Sequence, residues 1–171
     1  MKRDRNKCVP HARLLEIMHY DPATGVFTWK ISPRANVSVG DIAGGVDAAD
    51  GYRRIDIDFV RYRANQLAWF YVTGEWAAEL VDHRNLVRDD NPWLNLREAT
   101  CSQNRANSRA DRDNQSGLKG AYFRKESGRY RSILVKNGVR HHLGHFDTAE
   151  EAHHAYCQAA VEFHGEFARG A

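Results

Sequence analysis

Apolar and polar residues alternate along this chain in two rhythms, and the rhythms divide it. From Tyr52 to Asp58 the period is two, with Ile55 and Ile57 on one side, as a strand with one buried face requires. Opened by Gly51, "DGYRRIDIDFVRYRA" reads as a hairpin. "DPATGVFTWKI" reads as another, turned by Asp21-Pro22 and Gly25. The crowding of Leu67, Ala68, Phe70, Tyr71 and Val72 predicts a short buried helix over 64–71 that ends before Gly74. "LVDH" (80–83) reads as a short strand. "NPWLNLREAT" returns through a second strand or turn, with Trp93, Leu94 and Leu96 as its apolar residues, and "ATCSQNRAN" is polar with helix-compatible spacing.

The last third has a simpler grammar. Gly117, Gly120, Ser127-Gly128 and Asn137-Gly138 punctuate extended runs, and Asn-Gly between two such runs is a strong hairpin signal. In "RYRSILV" (129–135), Tyr130, Ser132 and Leu134 face one way; Arg129, Arg131, Ile133 and Val135 face the other. "DTAEEAHHAYCQAAVEFHG" is a helix. Thr148 and Glu151 form its capping box, Ala152, Ala155, Tyr156, Ala159 and Phe163 form its apolar stripe, and Gly165 suits its end. Residues 116–168 thus read as a three-stranded sheet with one helix packed across it.

Composition changes this picture little. The chain has 171 residues, 42% hydrophobic and 27% charged, which suits a globular protein rather than a disordered one. No apolar run is long enough to span a bilayer, and the basic N-terminus is not followed by the apolar core of a secretory signal. Cys8, Cys101 and Cys157 are odd in number and far apart. That argues against a disulfide framework and against a Cys-x-x-Cys zinc knuckle, so a reducing cytoplasm is the expected home. Net charge is only +3, but residues 97–131 hold nine Lys/Arg against four Asp/Glu. Such an excess fits either a phosphate-tracking surface or a solvated linker.

Candidate chemistry sits between the two halves. His83 follows Asp82; Asn95 lies twelve residues beyond His83, and Asn104 nine beyond that. Taken singly, an Asp-His pair is common on surfaces, and Asn serves turns and caps. A strand pair followed by a helix would bring all four together. The paired His141-His142 and His153-His154 diverge on a strand or helix and suit no zinc site. His11, His19, His145 and His164 are surface or packing residues.

Two resemblances organise these observations. "VDHRNLVRDDNPWLNLREATCSQN", with "YDPATGVFTWK", "LAWFYVTGEW" and "NLREAT", resembles the HNH (ββα-metal) endonucleases, specifically the phage and intron-encoded homing branch, over Leu14 to Asn107. The resemblance implies a general base at His83, oriented by Asn95, and a divalent cation, Mg²⁺ or Mn²⁺, held by Asp82 and the Asn104 amide oxygen. It also implies hydrolysis of DNA to 5′-phosphate and 3′-hydroxyl ends. Relatives carry Ala-His-Arg where this chain has Ala64-Asn65-Gln66.

"GRYRSILVKNGVRHHLGHFDTAEEAHHAYCQAAVEFHGEFA" resembles the DNA-binding domain of plant APETALA2/ethylene-response factors, most specifically over Leu143 to Tyr156. In that family the sheet enters the major groove. The matching positions are Lys119, Tyr122, Arg124, Arg140 and His142, and Arg129 and Arg131 share their face by alternation. His142 stands where the family has Trp, and Ile133 and Val135 where it has charged residues, so base preference does not transfer. The expectation is an α+β chain. An HNH nuclease domain with N-terminal hairpins fills 1–107, a linker 108–115, and a three-stranded antiparallel sheet on one helix 116–171. It would act as a monomer on double-stranded DNA, away from membranes, in the host cytoplasm if phage-encoded. The alternative is a DNA-binding regulator whose nuclease has decayed.

Overall fold

A computed structural model of the chain describes residues 8–169. The chain divides into two compact units, one ending at Glu98 and the other beginning at Ala99. This division falls ahead of the polar helix rather than after it, where the linker was expected.

The first unit opens with α1 (His11–Ile17), which buries Leu14 and Ile17. Strands β1 (Met18–Asp21) and β2 (Val26–Trp29) pair antiparallel, Met18 opposite Trp29 and Tyr20 opposite Phe27. These four side chains face the core together because the strand period is two. Asp21 ties the connecting turn, accepting from the Ala23 amide at 2.9 Å and the Thr24 hydroxyl at 2.8 Å. β3 (Gly45–Val46), β4 (Arg53–Ile57) and β5 (Val60–Arg63) form a second antiparallel sheet. Ile55 and Ile57 point inward as expected, and Tyr62, opposite Ile55, joins them. Helix α2 (Ala64–Thr73) buries Leu67, Ala68 and Phe70, and Gly74 closes it in the left-handed conformation, its amide donating to Phe70 O at 2.9 Å. Then β6 (Leu80–His83) pairs with β7 (Leu96–Ala99).

The second unit begins with α3 (Cys101–Asn107), closed at its start by a reciprocal box between Thr100 and Gln103. A three-stranded antiparallel sheet follows in the order β10-β9-β8, from β8 (Ala121–Arg124), β9 (Arg129–Lys136) and β10 (Val139–Phe146). Ser132 and Leu134 of β9 are buried beneath α4 (Ala149–His164), whose Thr148–Glu151 box forms as the sequence predicts. The buried row of α4 is Ala152, Tyr156, Ala160 and His164. Ala155, Ala159 and Phe163 are only partly buried, because the helix is rotated slightly from the expected stripe. Gly120 admits the close approach: a Cβ there would lie 2.2 Å from the Tyr156 ring. Residues 108–115, expected to be a linker, run with the residues just after them into turns tied by their own side chains. Asn114 Nδ2 donates to Leu118 O at 2.7 Å and Ser116 Oγ to Ala121 O at 2.8 Å. Among the described residues, no helix is long and apolar enough to cross a membrane.

Candidate active site

Strand β6 ends in three buried residues, Val81, Asp82 and His83. Two consecutive polar side chains in such a strand must find partners, since a bare buried polar group costs about 1–3 kcal/mol. Asp82 finds Arg97 on β7: its Oδ2 accepts from Nε and from Nη2, each at 3.0 Å. His83 finds Asn91, whose Oδ1 lies 3.0 Å from Nε2. A carboxamide oxygen can only accept, so Nε2 carries the proton and Nδ1 the lone pair. Burial lowers the His83 pKa below the usual histidine range; the Asn91 bond and the nearby Asp82 and Asp90 oppose this only in part. At neutral pH the ring is an uncharged base.

Asn91 is itself held from three sides. Its Nδ2 donates to Asp89 O at 3.0 Å, and its carbonyl accepts the Tyr20 hydroxyl at 2.8 Å. The turn of the β1–β2 hairpin presses against its backbone. Gly25 sits so close that a Cβ there would lie 2.1 Å from the Asn91 carbonyl carbon, and the Trp93 amide donates to Pro22 O at 2.9 Å. The "DPATG" hairpin is therefore part of the scaffold that aims the imidazole.

Asn95 has a different position from the one its spacing suggests. Its Nδ2 donates to Asp90 O at 2.6 Å and to Asn85 Oδ1 at 3.0 Å, while its Oδ1 accepts from the Asn85 amide at 3.1 Å. It braces the loop between β6 and β7 from inside. Asn91 makes the direct bond to the His83 ring, and the Asn95 side chain acts one step further out, on the loop that carries Asn91. Asn104 is exposed on α3, within the second unit.

Sequence reasoning missed the residues packed around His83. The Tyr52 ring lies 5.9 Å from the imidazole, with the Arg63 and Arg88 guanidinium carbons 4.2 Å and 5.2 Å from its centroid. Asp50 ties both arginines, accepting from Arg63 at 3.1 Å through its carboxylate and from Arg88 at 2.8 Å through its carbonyl. Tyr52 was read only as the start of an alternating strand, a pattern that carries no trace of this stack. Asn65 is buried, donates to Val81 O at 2.9 Å, and leaves its Oδ1 without a partner among the described residues.

The residues expected to touch DNA separate into two groups. Register places Tyr122 opposite Arg131, Arg124 opposite Arg129, Arg140 opposite Val135 and His142 opposite Ile133. All therefore share the sheet face turned away from α4. A bulge between His142 and Gly144 adds His145, opposite Arg131, to that face. The His142 and His145 rings lie 4.7 Å apart, tilted by 52°, and the His145 pKa is lowered by desolvation first and then by His142 and the neighbouring arginines. Arg129 pairs with Asp147 at 2.8 Å and Arg124 with Glu126 at 3.2 Å, both exposed pairs. Lys119 stands apart from the sheet. Its ammonium donates to the carbonyls of Arg105, Ala106 and Ser108, and burial pushes its pKa down to about 8.

Comparison with known proteins finds similarity over part of the chain. Residues 62–106 match the family model described as HNH endonuclease. This stretch spans α2, β6, the braced loop, β7 and most of α3, so this part of the chain is similar to the HNH endonucleases. The chain is also 36% identical over 88 residues to an uncharacterized HNH endonuclease of Acanthamoeba polyphaga mimivirus. The shared stretch covers 52% of this chain and 44% of the viral protein, so the chain spans less than half the length of the curated relative it matches. No solved structure matches.

Proposed function

We propose that this chain is a divalent-metal-dependent DNA endonuclease of the homing type, cutting phosphodiesters to 5′-phosphate and 3′-hydroxyl ends. The observation that carries the reading is the state of His83. It is buried, uncharged at neutral pH and fixed through Nε2 by Asn91, beside the buried carboxylate of Asp82. That is the form in which an imidazole accepts a proton from water as it attacks phosphorus. Asn91, Asn95 and the hairpin at Gly25 act as positioning residues, because a base that turned away from the water would lose most of its effect.

The donor chemistry fits a hard cation. Among the described residues no three His, Cys, Asp or Glu side chains converge. The resemblance assigns the cation to two oxygen donors, the Asp82 carboxylate and the Asn104 side-chain amide. Such a set suits Mg²⁺ or Mn²⁺, which keep several waters, better than a softer ion. When bound, the cation would supply charge to balance the phosphate and the leaving 3′ oxygen. Arg97 holds the Asp82 carboxylate in one orientation. Arg63 and Arg88, stacked on Tyr52, add positive charge near the base where the DNA backbone would pass.

The C-terminal sheet would read DNA through Tyr122, Arg124, Arg129, Arg131, Arg140 and His142, whose basic side chains suit phosphates and base edges. The test is nicking of supercoiled plasmid by the purified full chain with Mg²⁺ or Mn²⁺, followed by DNA ligase. Metal-dependent nicks that ligase seals directly support the reading. No nicking above an EDTA control, with DNA binding intact, would favour a regulator with a decayed nuclease.

A further inference from the structure

Helix α3 is seven residues long, too short to hold its shape unaided. Its supports within the second unit are specific. At its C-terminal end the Lys119 ammonium gathers the carbonyls of Arg105 at 3.2 Å, Ala106, and Ser108 at 2.6 Å. These carbonyls lie at the negative end of the helix dipole, where a cation is most favourable, and that of Arg105 also accepts from the Ser108 amide and hydroxyl. Lys119 is fixed in turn: His153 of α4 donates Nδ1 to its carbonyl at 2.7 Å. Near the start of α3, Ser102 Oγ accepts the Asn137 amide of the β9–β10 turn at 3.0 Å. On its inner side, Ala106 packs with Ala99 and Phe167. Asn104 stands exposed between Ser102 and Ala106.

We infer that Lys119 is a positioning residue for the metal ligand Asn104: by capping α3, the C-terminal unit sets the helix that presents this amide. The inference rests on the reading of Asn104 as a ligand given above. It moves Lys119 from the DNA-contacting set to the metal-supporting one. Supporting residues outside a metal's own ligands commonly change affinity by roughly 10- to 100-fold.

The test uses the full chain carrying Lys119→Met, which keeps the stem and removes the charge. Hydrogen exchange of the amides from Gln103 to Asn107 should quicken by about tenfold, the worth of a well-placed cap, while β9 amides keep their rates. The Mn²⁺ concentration for half-maximal nicking should rise about tenfold, with DNA affinity in EDTA unchanged. Ser102→Ala should move both readouts the same way by less, and it carries the test if Lys119→Met also loosens β9. Asn104→Ala separates the two claims. If it leaves the Mn²⁺ dependence alone, the ligand reading fails. If it shifts that dependence but Lys119→Met changes neither exchange nor Mn²⁺ requirement, the inference about Lys119 fails alone. Adding Lys119→Met to Asn104→Ala should shift the Mn²⁺ requirement no further. A loss of DNA affinity in Lys119→Met with α3 exchange unchanged would return Lys119 to the DNA-contacting set and overturn the inference.

Discussion

Replacing Asn91 by Ala isolates the contact on which the proposed base depends. The Asn91 carboxamide is 2% exposed, and its Oδ1 is 3.0 Å from His83 Nε2. As His83 takes a proton the ring becomes a cation, and this bond becomes charge-assisted, worth about 1.5–3 kcal/mol. At about 1.4 kcal/mol per decade, losing it should slow single-turnover cleavage roughly 10- to 150-fold. DNA affinity should hold, since Asn91 is too buried to reach a phosphate. The pH profile gives a second readout. Burial lowers the His83 pKa and the Asn91 bond raises it. Without that bond the acid limb should move to lower pH, while Asn91→Asp, with a carboxylate beside Nε2, should move it up. A wild-type rate in Asn91→Ala with the acid limb unmoved would refute the assignment. So would a fall in DNA affinity equal to the fall in rate.

Other outcomes follow from the same geometry. Arg97→Met leaves the buried Asp82 carboxylate without its guanidinium and should cost about 3–5 kcal/mol in denaturant unfolding. Arg124→Ala and Arg131→Ala, on the exposed sheet face, should each reduce the slope of log affinity against log salt by about 0.9, read from binding titrations between 50 and 200 mM salt. His83 and His164 both have pKa values lowered by burial, so the unfolded chain takes up their protons first as pH falls. Their contribution to stability is fully present above about pH 6.5 and lost as pH drops through the lowered folded values. Thermal melts should show Tm falling through that acid window, and less steeply in His83→Asn.

Much of this fold was written in local patterns. The Thr148–Glu151 box, the alternation of β9 and the end of α2 at Gly74 each depend on neighbours within a few residues, and each forms as read. The Thr100–Gln103 box was equally local and was overlooked. What could not be read was long-range. Helix α1 has seven residues and no side-chain cap at Pro10, so it exists through packing of Leu14 and Ile17. Asn91 precedes a proline in a loop and reads as a turn residue. Only the fold of that loop, with Leu86 at a φ of 64° and Asn95 bracing it, aims its carboxamide at His83. Lys119 matched a DNA-contacting position by sequence, but the backbone turns at Gly120 and sends its side chain to the end of α3. The resemblance carried by the phrases around Asp82, His83, Asn95 and Asn104 pointed to an HNH nuclease. It did not reveal which asparagine holds the ring.

The central claim is that an uncharged His83 removes a proton from the attacking water, and the most direct measurement is single-turnover cleavage of a labelled duplex by His83→Ala, with affinity measured alongside. The account predicts a rate reduced by at least about 100-fold, with duplex affinity within a factor of about two of the wild type. Cleavage by His83→Ala at the wild-type rate, with the same metal dependence, would contradict it.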